Sequence, residues 1–412
     1  MPFDIAQVRA QFPSLNRPID DNGTLPVFLD NPAGTQVPQS VIDAVSEYYV
    51  TMNANSGGAF ATSRRNDDMM QRAREKVAKF LNAPSPKEIV FGANMTTLNF
   101  ALSRAIAQTL EPGDELILTR MDHDANISPW LRIAEDNDLT LKWVDINVED
   151  GTLDLDSYEA ALSKKTKIVA CVHASNALGT INPIQKMVEM AHAAGSYFVV
   201  DAVQSAPHIP IDVQALGCDF LLCSAYKFFG PHIGIMWGKY DLLDKLPAYK
   251  VRPAKNTPPD KFETGTLSFE TIHATAAAID YLATFGDGDV HTGMEVLRDY
   301  EQSLVTLLIM GLQAIDGVTI AGITDPAHFS ERVPTVTMVM EGHTPEEIAT
   351  YLAEHNIYVW NGDYYALEVM DMLGRSEDGM VRIGLAHYNT PEEIERLLDV
   401  LKELANSKED DA

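Results

Sequence analysis

The stretch FLLCSAYKFFGPHIGIMWG, residues 220–238, contains two apolar runs on either side of a short break that carries a lysine. FLLCS (220–224) and GIMWG (234–238) have hydrophobic residues at successive positions and do not alternate them with polar ones. Such runs are typical of strands that are buried on both faces, in a sheet covered by helices. We therefore predict two buried strands, with Lys227 at the C-terminal end of the first, where open α/β sheets bind their ligands.

The same kind of run recurs upstream, at intervals that leave room for helices. Helical patterns occupy residues 96–110 and 184–194 between these runs. Strands that alternate with helices are typical of an α/β domain, so we predict a mostly parallel seven-stranded sheet. The other five predicted strands are EIVFG (88–92), ELILT (115–119), LKWVDI (141–146), KIVACVH (167–173) and YFVVDA (197–202).

The pattern changes after the proline-rich stretch at 252–262. A long helical region from about Ser268 to Ile315 precedes predicted strands near 333–340, 357–360 and 380–385. Thr344 and Thr390 each begin a TPEE motif, in which threonine caps a helix, proline takes the first helical position and glutamate completes a capping box. These features predict a smaller C-terminal α+β domain. The predicted division of the chain is an N-terminal segment that packs on the small domain (1–25), a large domain (26–260), and the small domain with its long connecting helix (261–412).

The composition of the 412-residue chain is that of an ordinary globular protein, with 46% hydrophobic residues and a formal net charge of −28. Its apolar runs are shorter than the roughly 20 residues that span a bilayer, and the N-terminus lacks a signal-peptide pattern, so we expect a cytoplasmic protein. The negative charge argues against nucleic-acid and acidic-membrane partners. Three cysteines without CxxC spacing and eleven histidines without HExxH spacing indicate neither a disulfide framework nor a metal site.

Polar residues follow several of the predicted strands. Asp201 ends one strand, where a carboxylate would be costly to bury without a cationic partner such as Lys227. His123 and Asn176 follow two others, and FGANMTTLN (91–99) places polar groups at a helix start that can bind an anion. Each feature alone has a structural explanation, such as a salt bridge or an N-cap. Together they fit pyridoxal phosphate, which needs a lysine, a carboxylate for its ring nitrogen, a phosphate cradle and a flat side chain on its ring.

The residues around this lysine carry a resemblance to a known family. VVDAVQSAPHIPIDVQALGCDFLLCSAYKFFGPHIGIMWG (199–238) resembles the class V aminotransferases of the fold-type I pyridoxal phosphate enzymes, and within them the cysteine desulfurases. The resemblance extends from LDNPAGTQVP (29–38) to VRIGLAHYNT (381–390), which is nearly the whole chain. It implies a pyridoxal phosphate cofactor, an amino-acid substrate and a homodimer with sites shared across the interface.

The resemblance also implies roles for individual residues. Lys227 would form the Schiff base and act in catalysis with Asp201, the partner of the ring nitrogen, and with His123, which would stack on the ring. Gln204 and Asn176 would meet the ring hydroxyl, and Arg382 would grip the substrate's α-carboxylate, a task suited to guanidinium. Near the substrate the resemblance also places Gly34 and Tyr365. The phosphate would be bound by Thr96 and Ser224, by the backbone of Asn94 and Met95, and by Thr266 of the neighbouring subunit.

Three departures from the family pattern bear on the reaction. Desulfurases carry a nucleophilic cysteine in a Gly-His-His-Cys-Ala pattern, whereas IYVWNGDYYALEV (357–369) has Tyr365 at that place, and a phenol cannot become a persulfide. Tyr226 replaces the histidine before the lysine, and Asn94-Met95-Thr96 replaces a Gly-Thr-Thr turn. We expect Cys171 and Cys223 to be inert core thiols.

These departures leave three functions open. The first is a pyridoxal-phosphate-dependent transferase or lyase that acts on an amino acid through an external aldimine, giving a keto acid, an epimer or a β-eliminated product. The second is a cysteine desulfurase or C–S lyase that uses an unusual thiol. The third is a partner protein that binds the cofactor without turnover.

Overall fold

A computed structural model of the chain describes residues 3–20 and 23–407, so the ends of the predicted segments 1–25 and 261–412 lie partly outside the described residues. The described strands are β1 (Val27–Phe28), β2 (Ile89–Gly92), β3 (Glu115–Thr119), β4 (Thr140–Val144), β5 (Ile146–Asn147), β6 (Thr152–Leu153), β7 (Thr166–Val172), β8 (Tyr197–Asp201), β9 (Phe220–Ser224), β10 (Gly234–Gly238), β11 (Val318–Ala321), β12 (Thr335–Met340), β13 (Ile357–Tyr358), β14 (Trp360–Gly362) and β15 (Met380–Gly384). The described α-helices are α1 (Ile5–Ala10), α2 (Gln39–Thr51), α3 (Ala61–Phe80), α4 (Met95–Ala107), α5 (Ser128–Asp136), α6 (Leu155–Ala161), α7 (Ile184–Ala194), α8 (Val213–Leu216), α9 (Tyr240–Lys245), α10 (Phe269–Ala283), α11 (Val290–Gln313), α12 (Pro345–Glu354), α13 (Leu367–Met372) and α14 (Pro391–Asn406).

The predicted seven-stranded sheet is confirmed, with the strand order β2-β10-β9-β8-β7-β3-β4. Strands β4, β3, β7, β8 and β9 run parallel to their neighbours. Only β10 pairs antiparallel, to β2 on one side and β9 on the other. The C-terminal ends of β7, β8 and β9 therefore meet at one edge of the sheet, where a parallel α/β sheet places its site.

The strands of this sheet are mostly buried on both faces, as their apolar runs predict, whereas the edge strand β4 is only partly buried. In β9, Leu221 and Cys223 face one hydrophobic core, and Phe220 and Leu222 face the other. Helices α3 and α7 cover the first face, and α4 and α5 cover the second. Because neither face of β9 or β10 meets solvent, their sequences are apolar at successive positions.

The C-terminal part contains the antiparallel sheet β11-β12-β15-β14, so the predicted α+β composition is confirmed. The helical region predicted over 268–315 is two helices, α10 and α11. They are separated at Asp287 and Gly288, which both have left-handed backbone conformations (φ 52° and 96°), and such residues end a helix. Both TPEE motifs form the predicted capping boxes, at Thr344 and Thr390.

Two boundaries differ from the predictions. The run LKWVDI is not one strand, because β4 ends at Val144 and Ile146 pairs instead with Leu153 in the hairpin β5-β6. Strand 357–360 is divided between β13, which pairs with β1, and β14, which belongs to the small sheet. These short segments carry too little pattern to show from sequence where one pairing ends and the next begins.

Helix α10 packs against α2 and α3, and its buried residues Ile272, Ala276 and Ile279 belong to the core of the large sheet. The following helix, α11, contributes Leu304 and Leu308 to the core of the small sheet. The predicted domain boundary at 260/261 stays a prediction. Among the described residues no helix combines the length and the apolar character needed to cross a bilayer.

Candidate active site

A cavity of about 1060 Å³ lies between the C-terminal ends of β7, β8 and β9 and the edge of the small sheet at β14 and β15. Eleven of the thirteen residues singled out from the sequence line it: Lys227, Asp201, His123, Gln204, Asn94, Met95, Thr96, Asn176, Ser224, Tyr365 and Arg382. The structure therefore brings together groups from both halves of the chain.

Lys227 lies in the turn between β9 and β10, in a short 3₁₀ segment that follows Ser224. Its amine donates hydrogen bonds to the carbonyl groups of Pro32 and Ala33, the second at 3.0 Å, and lies 4.7 Å from the centre of the Tyr226 ring. Burial, together with the positive charge of Arg382, lowers the pKa of Lys227 to about 7. The amine is therefore available in its neutral, nucleophilic form near neutral pH.

Asp201 ends β8 and is buried at the floor of the cavity. One of its carboxylate oxygens accepts a hydrogen bond from the backbone N–H of Val203 at 2.8 Å. Burial raises the pKa of Asp201 to about 6, although this hydrogen bond and Lys227 both favour the carboxylate. Asp201 is therefore an anion above about pH 6, and the hydrogen bond from Val203 engages only one of its two carboxylate oxygens.

The N-terminus of α4 forms another wall. Asn94 caps the helix and accepts from the backbone N–H of Thr97 at 2.8 Å, while the N–H of Met95 donates to the Ser224 hydroxyl at 3.0 Å. Thr96 is exposed to the cavity side of this first turn. A Cβ atom on Gly234 would lie 2.3 Å from the backbone carbon of Asn94, so only glycine lets β10 approach the helix start this closely. The arrangement is typical of an anion cradle.

His123 is held by the turn that follows β3. Its Nδ1 accepts a hydrogen bond from the backbone N–H of Ala125 at 3.0 Å, so the proton of the neutral ring lies on Nε2. Burial and the nearby cations Lys227 and Arg382 lower the pKa of His123 to about 4. The turn itself is held by Asp122, which accepts from Asn126 at 2.6 Å. His123 is therefore a neutral, flat ring at the cavity.

Three buried polar atoms that line the cavity have no hydrogen-bond partner within the protein: Asn176 Oδ1, Gln204 Oε1 and Arg382 Nε. Buried polar atoms are nearly always satisfied, so such atoms indicate a polar ligand. The side-chain amides of Asn176 and Gln204 are held from behind, by the carbonyl groups of Tyr364 at 2.9 Å and Pro32 at 2.7 Å. Arg382 donates to the carbonyl group of Asn176 at 3.0 Å.

The loop after β14 has two adjacent non-glycine residues in the left-handed region, Tyr364 (φ 54°) and Tyr365 (φ 57°). Bulky residues rarely take this conformation, which concentrates at functional sites. Tyr364 turns inward beneath Arg382, whose guanidinium lies 4.4 Å from the ring centre. Tyr365 turns outward onto His123, and its carbonyl group accepts from the N–H of Asp124 at 2.7 Å.

The three cysteines are fully buried, as expected for core thiols, and none lines the cavity. Burial raises the pKa of Cys171, Cys218 and Cys223, so each is a protonated thiol at neutral pH. A phenol, Tyr365, lines the cavity at the place predicted from sequence.

Two predicted residues do not line the cavity of this chain. Gly34 lies one residue beyond the lining residue Ala33, against the ring of Tyr226. Thr266 is on an exposed stretch away from the cavity. Sequence reasoning did not assign the lining residues Phe100, His232 and Tyr364 to the site. The adjacent tyrosines were the available signal for Tyr364, but its inward turn depends on the left-handed backbone.

A profile of the family described as aminotransferase class-V matches residues 27–397. The chain belongs to the class V aminotransferase family. The chain is 36% identical to a probable cysteine desulfurase of Synechocystis sp., over 98% of the chain and 96% of the relative. It is 35% identical to the aminotransferase-like protein FGM3 of Gibberella zeae, over 97% of the chain and 98% of the relative.

Solved structures show the same relationship. The chain superimposes on the apo structure of the cysteine desulfurase of Thermococcus onnurineus with a TM-score of 0.87 at 29% identity, covering 97% of this chain and 98% of the other. A cysteine desulfurase of Escherichia coli gives a TM-score of 0.84 at 28% identity, covering 98% of both chains. The predicted fold-type I architecture is thereby confirmed. Members of this family use pyridoxal phosphate, and the chain is a pyridoxal-phosphate-dependent enzyme that acts on an amino acid.

The residues present fit this cofactor. The unpartnered oxygens of Asn176 and Gln204 suit a ring hydroxyl, and the cradle at the start of α4 suits a phosphate. The buried carboxylate of Asp201 suits a protonated ring nitrogen, and the buried amine of Lys227 suits an aldehyde.

Proposed function

We propose that this enzyme removes the α-proton of an amino acid at Lys227 and does so without a thiol nucleophile of its own. The observation that carries the proposal is the composition of the cavity, where a buried amine, a buried carboxylate and a buried guanidinium meet and no cysteine lines the wall. A cysteine desulfurase or C–S lyase that uses an unusual thiol is disfavoured because all three thiols are enclosed in the core. A partner protein without turnover has no use for Arg382 beside a lysine of lowered pKa.

The proposal assigns the cofactor contacts as follows. Lys227 would attach pyridoxal phosphate through its amine, Asp201 would pair with the ring nitrogen, and His123 would lie on the ring. Gln204 and Asn176 would meet the ring hydroxyl. The phosphate would be held by Thr96, Ser224, Asn94 and Met95.

Bound pyridoxal phosphate supplies an electron-withdrawing ring that stabilises negative charge on the substrate's Cα atom. Lys227 Nζ, whose pKa is lowered to about 7, can accept the α-proton and return it. Asp201 is a carboxylate above about pH 6 and would favour a protonated ring nitrogen in the bound cofactor. Arg382 would orient the substrate by binding its α-carboxylate through the guanidinium N–H groups that are not bonded to the carbonyl group of Asn176.

The walls of the cavity support these steps. Neutral His123 cannot donate from Nδ1, which accepts from Ala125, so its contribution is a flat contact surface and an Nε2–H donor. Tyr365 covers His123 on the solvent side and, together with Trp360, limits the entrance. We propose that Tyr365 contacts the substrate.

We further propose a homodimer with shared sites. Thr266 is exposed and lies away from its own cavity, which is what the resemblance implies for a residue that reaches the phosphate of a neighbouring subunit. Gly34 is proposed to lie near the substrate through its neighbour Ala33. The cytoplasmic location and the domain boundaries stay predictions from the sequence.

Absorbance of the purified protein with pyridoxal phosphate tests the proposal directly. We expect a visible band that changes when the right member of a panel of amino acids is added, and a Lys227→Ala variant without that band. Lys239→Ala, which removes an amine that pairs with Asp219 at 2.7 Å outside the cavity, is the control and should keep the band. A wild-type protein without the band would overturn the proposal, and a band that no amino acid changes would favour binding without turnover.

A second arm tests the thiol. We expect a variant with Cys171, Cys218 and Cys223 all replaced by alanine to keep its turnover of the amino acid once its folding is verified. If replacement of one of these cysteines abolished turnover in a variant that still folds and binds the cofactor normally, that result would instead support desulfurase chemistry through that thiol.

A further inference from the structure

Arg332 is a fully buried arginine outside the cavity, in the segment before β12. Its guanidinium has no ion-pair partner among the described residues, and its pKa is lowered to about 10 by burial alone. It remains charged at neutral pH. A buried, unpaired cation is costly, and such groups are retained where their donors hold something in place.

The donors of Arg332 reach two nearby segments of the chain and one turn that is distant in the sequence. One terminal nitrogen donates to the carbonyl group of Ile323, which follows β11. The other donates to the carbonyl groups of Thr335 at 2.6 Å and Leu178 at 3.3 Å. Leu178 belongs to the turn after β7, whereas Thr335 begins β12 of the small sheet and Ile323 follows β11 of the same sheet. The planar fork of a guanidinium suits three carbonyl groups in fixed directions, and an ammonium group does not.

The turn that Arg332 holds is the one that presents Asn176. It is closed by the bridge between Ala174 and Ile181 and by the N–H of Gly179, which donates to the carbonyl group of Ser175 at 3.1 Å. A Cβ atom on Gly179 would lie 2.5 Å from the carbonyl oxygen of Thr335, so the turn lies directly against the start of β12. Leu178 lies two positions after Asn176 in the same turn.

Asn176 in turn connects to the substrate arginine. Its carbonyl group accepts from Arg382 at 3.0 Å and its amide donates to the carbonyl group of Tyr364 at 2.9 Å, while Oδ1 is left unpartnered at the cavity. A second small-sheet residue, Thr337, donates from its hydroxyl to the carbonyl group of Ala177. Hydrogen bonds from Arg332 and Thr337 thus reach the turn that contains Asn176, and Asn176 is itself bonded to Arg382 and Tyr364.

We propose that Arg332 is a positioning residue, whose buried guanidinium holds the 174–181 turn so that Asn176 and Arg382 present their free polar atoms to cofactor and substrate. The inference rests on the proposed function, in which those two residues bind the ring hydroxyl and the α-carboxylate. Arg332 itself touches neither ligand.

Two variants test this role. Arg332→Lys keeps a charge but loses the fork, and Arg332→Met keeps the apolar stem but loses every donor. We expect both to weaken pyridoxal phosphate binding, measured by equilibrium titration, by about tenfold and to raise KM for the amino acid more than they lower kcat. We also expect a displaced midpoint in the pH titration of the cofactor's absorbance. If Arg332→Met does not fold, Arg332→Lys carries the test.

Arg9→Met is the matched control. Arg9 also donates to a carbonyl group, that of Tyr388 at 2.7 Å, and pairs with Glu393, but it lies away from the 174–181 turn. We expect it to lose stability and keep the wild-type cofactor affinity, absorbance midpoint and KM.

Hydrogen exchange of the cofactor-free protein supplies a readout that does not depend on turnover. In Arg332→Lys, exchange of the Leu178 and Gly179 amides should become about tenfold faster, while amides of β8 keep their rates. Arg332 variants that are merely less stable, with unchanged cofactor affinity, absorbance midpoint and KM, would overturn the inference. That result would leave the proposed function intact, because the Lys227→Ala test is independent of it.

Discussion

The phenol ring of Tyr365 lies on the imidazole ring of His123, with the ring centroids 5.5 Å apart and the planes inclined by 26°. Tyr365 follows β14 of the small sheet and His123 follows β3 of the large sheet, so this contact joins the two parts of the chain. It depends on the left-handed backbone of Tyr365 and on the hydrogen bond from Asp124 to its carbonyl group. Tyr365, which stands where desulfurases carry their cysteine, thus covers the His123 ring that the cofactor is proposed to contact.

This stacking predicts different outcomes for two substitutions. Tyr365→Phe keeps the ring and should leave kcat/KM within about threefold, whereas Tyr365→Ala should lower it by about tenfold, the upper range for loss of an aromatic pair. Steady-state kinetics with the amino acid found in the panel measures both. Tyr249→Ala, which removes an exposed tyrosine away from the cavity, is the control. Equal losses in the phenylalanine and alanine variants would show that the hydroxyl group is what matters.

Replacement of Arg382 by lysine should affect substrate binding most. The lysine keeps a charge but loses the two-pronged contact with a carboxylate and the hydrogen bond to Asn176, so we expect KM to rise roughly 10–100-fold with little change in kcat. Arg298→Lys, which alters a partly exposed arginine paired with Asp299, should leave both constants unchanged. A fall in kcat at constant KM would instead place Arg382 in the chemical step.

The lowered pKa of Lys227 predicts how stability depends on pH in the cofactor-free protein. Between about pH 7 and 10.5 the unfolded chain binds a proton at this lysine that the folded protein lacks. The free energy of unfolding contributed by this group therefore rises with pH across that interval, and burial of the amine is most costly below pH 7. Lys227→Met removes the cost, so the variant should be more stable than the wild type by about 2 kcal/mol at pH 7.

Urea unfolding at pH 7, 8 and 9 measures this difference, which should shrink as the pH rises. Lys255→Met, at an exposed lysine, should give no pH-dependent difference. An advantage of Lys227→Met that stays constant over this range would mean that the amine is not held in an uncharged form by burial.

The close approach of β10 to the start of α4 predicts the effect of a single methyl group. Gly234→Ala would overlap the backbone of Asn94, and we expect a loss of roughly 1–3 kcal/mol in stability together with a tenfold weaker affinity for pyridoxal phosphate. Gly238→Ala lies at the other end of the same strand, where the added atom would meet the side chains of Phe220 and Leu243. It should cost stability without a change in cofactor affinity. Equal cofactor affinities in the two variants would contradict the phosphate cradle.

Most of the large sheet was predictable, and so were the positions of the polar residues that follow its strands. The strand FLLCS and the helix at 184–194 have the predicted bounds because each is a continuous pattern with a clear break at both ends. The division of LKWVDI was not predictable, because the pairing partner of Ile146 is Leu153, in a hairpin that the apolar pattern does not distinguish. The left-handed backbone of Tyr364 was not predictable from its sequence neighbours, since Tyr364 contacts Asn176, Met380 and Arg382 in the folded protein.

Local patterns alone determined that this chain forms a helix-covered sheet and that Asp201 and Lys227 come at the C-terminal ends of two buried strands, because a strand buried on both faces must be apolar throughout and parallel strands end at one edge. Only the tertiary structure decided how the small sheet completes the site. The links from Arg332 through Leu178 and Asn176 to Arg382 join residues that are far apart in the sequence. These contacts depend on how the large and the small sheet pack against each other, and the hydrophobic pattern of neither sheet encodes that packing.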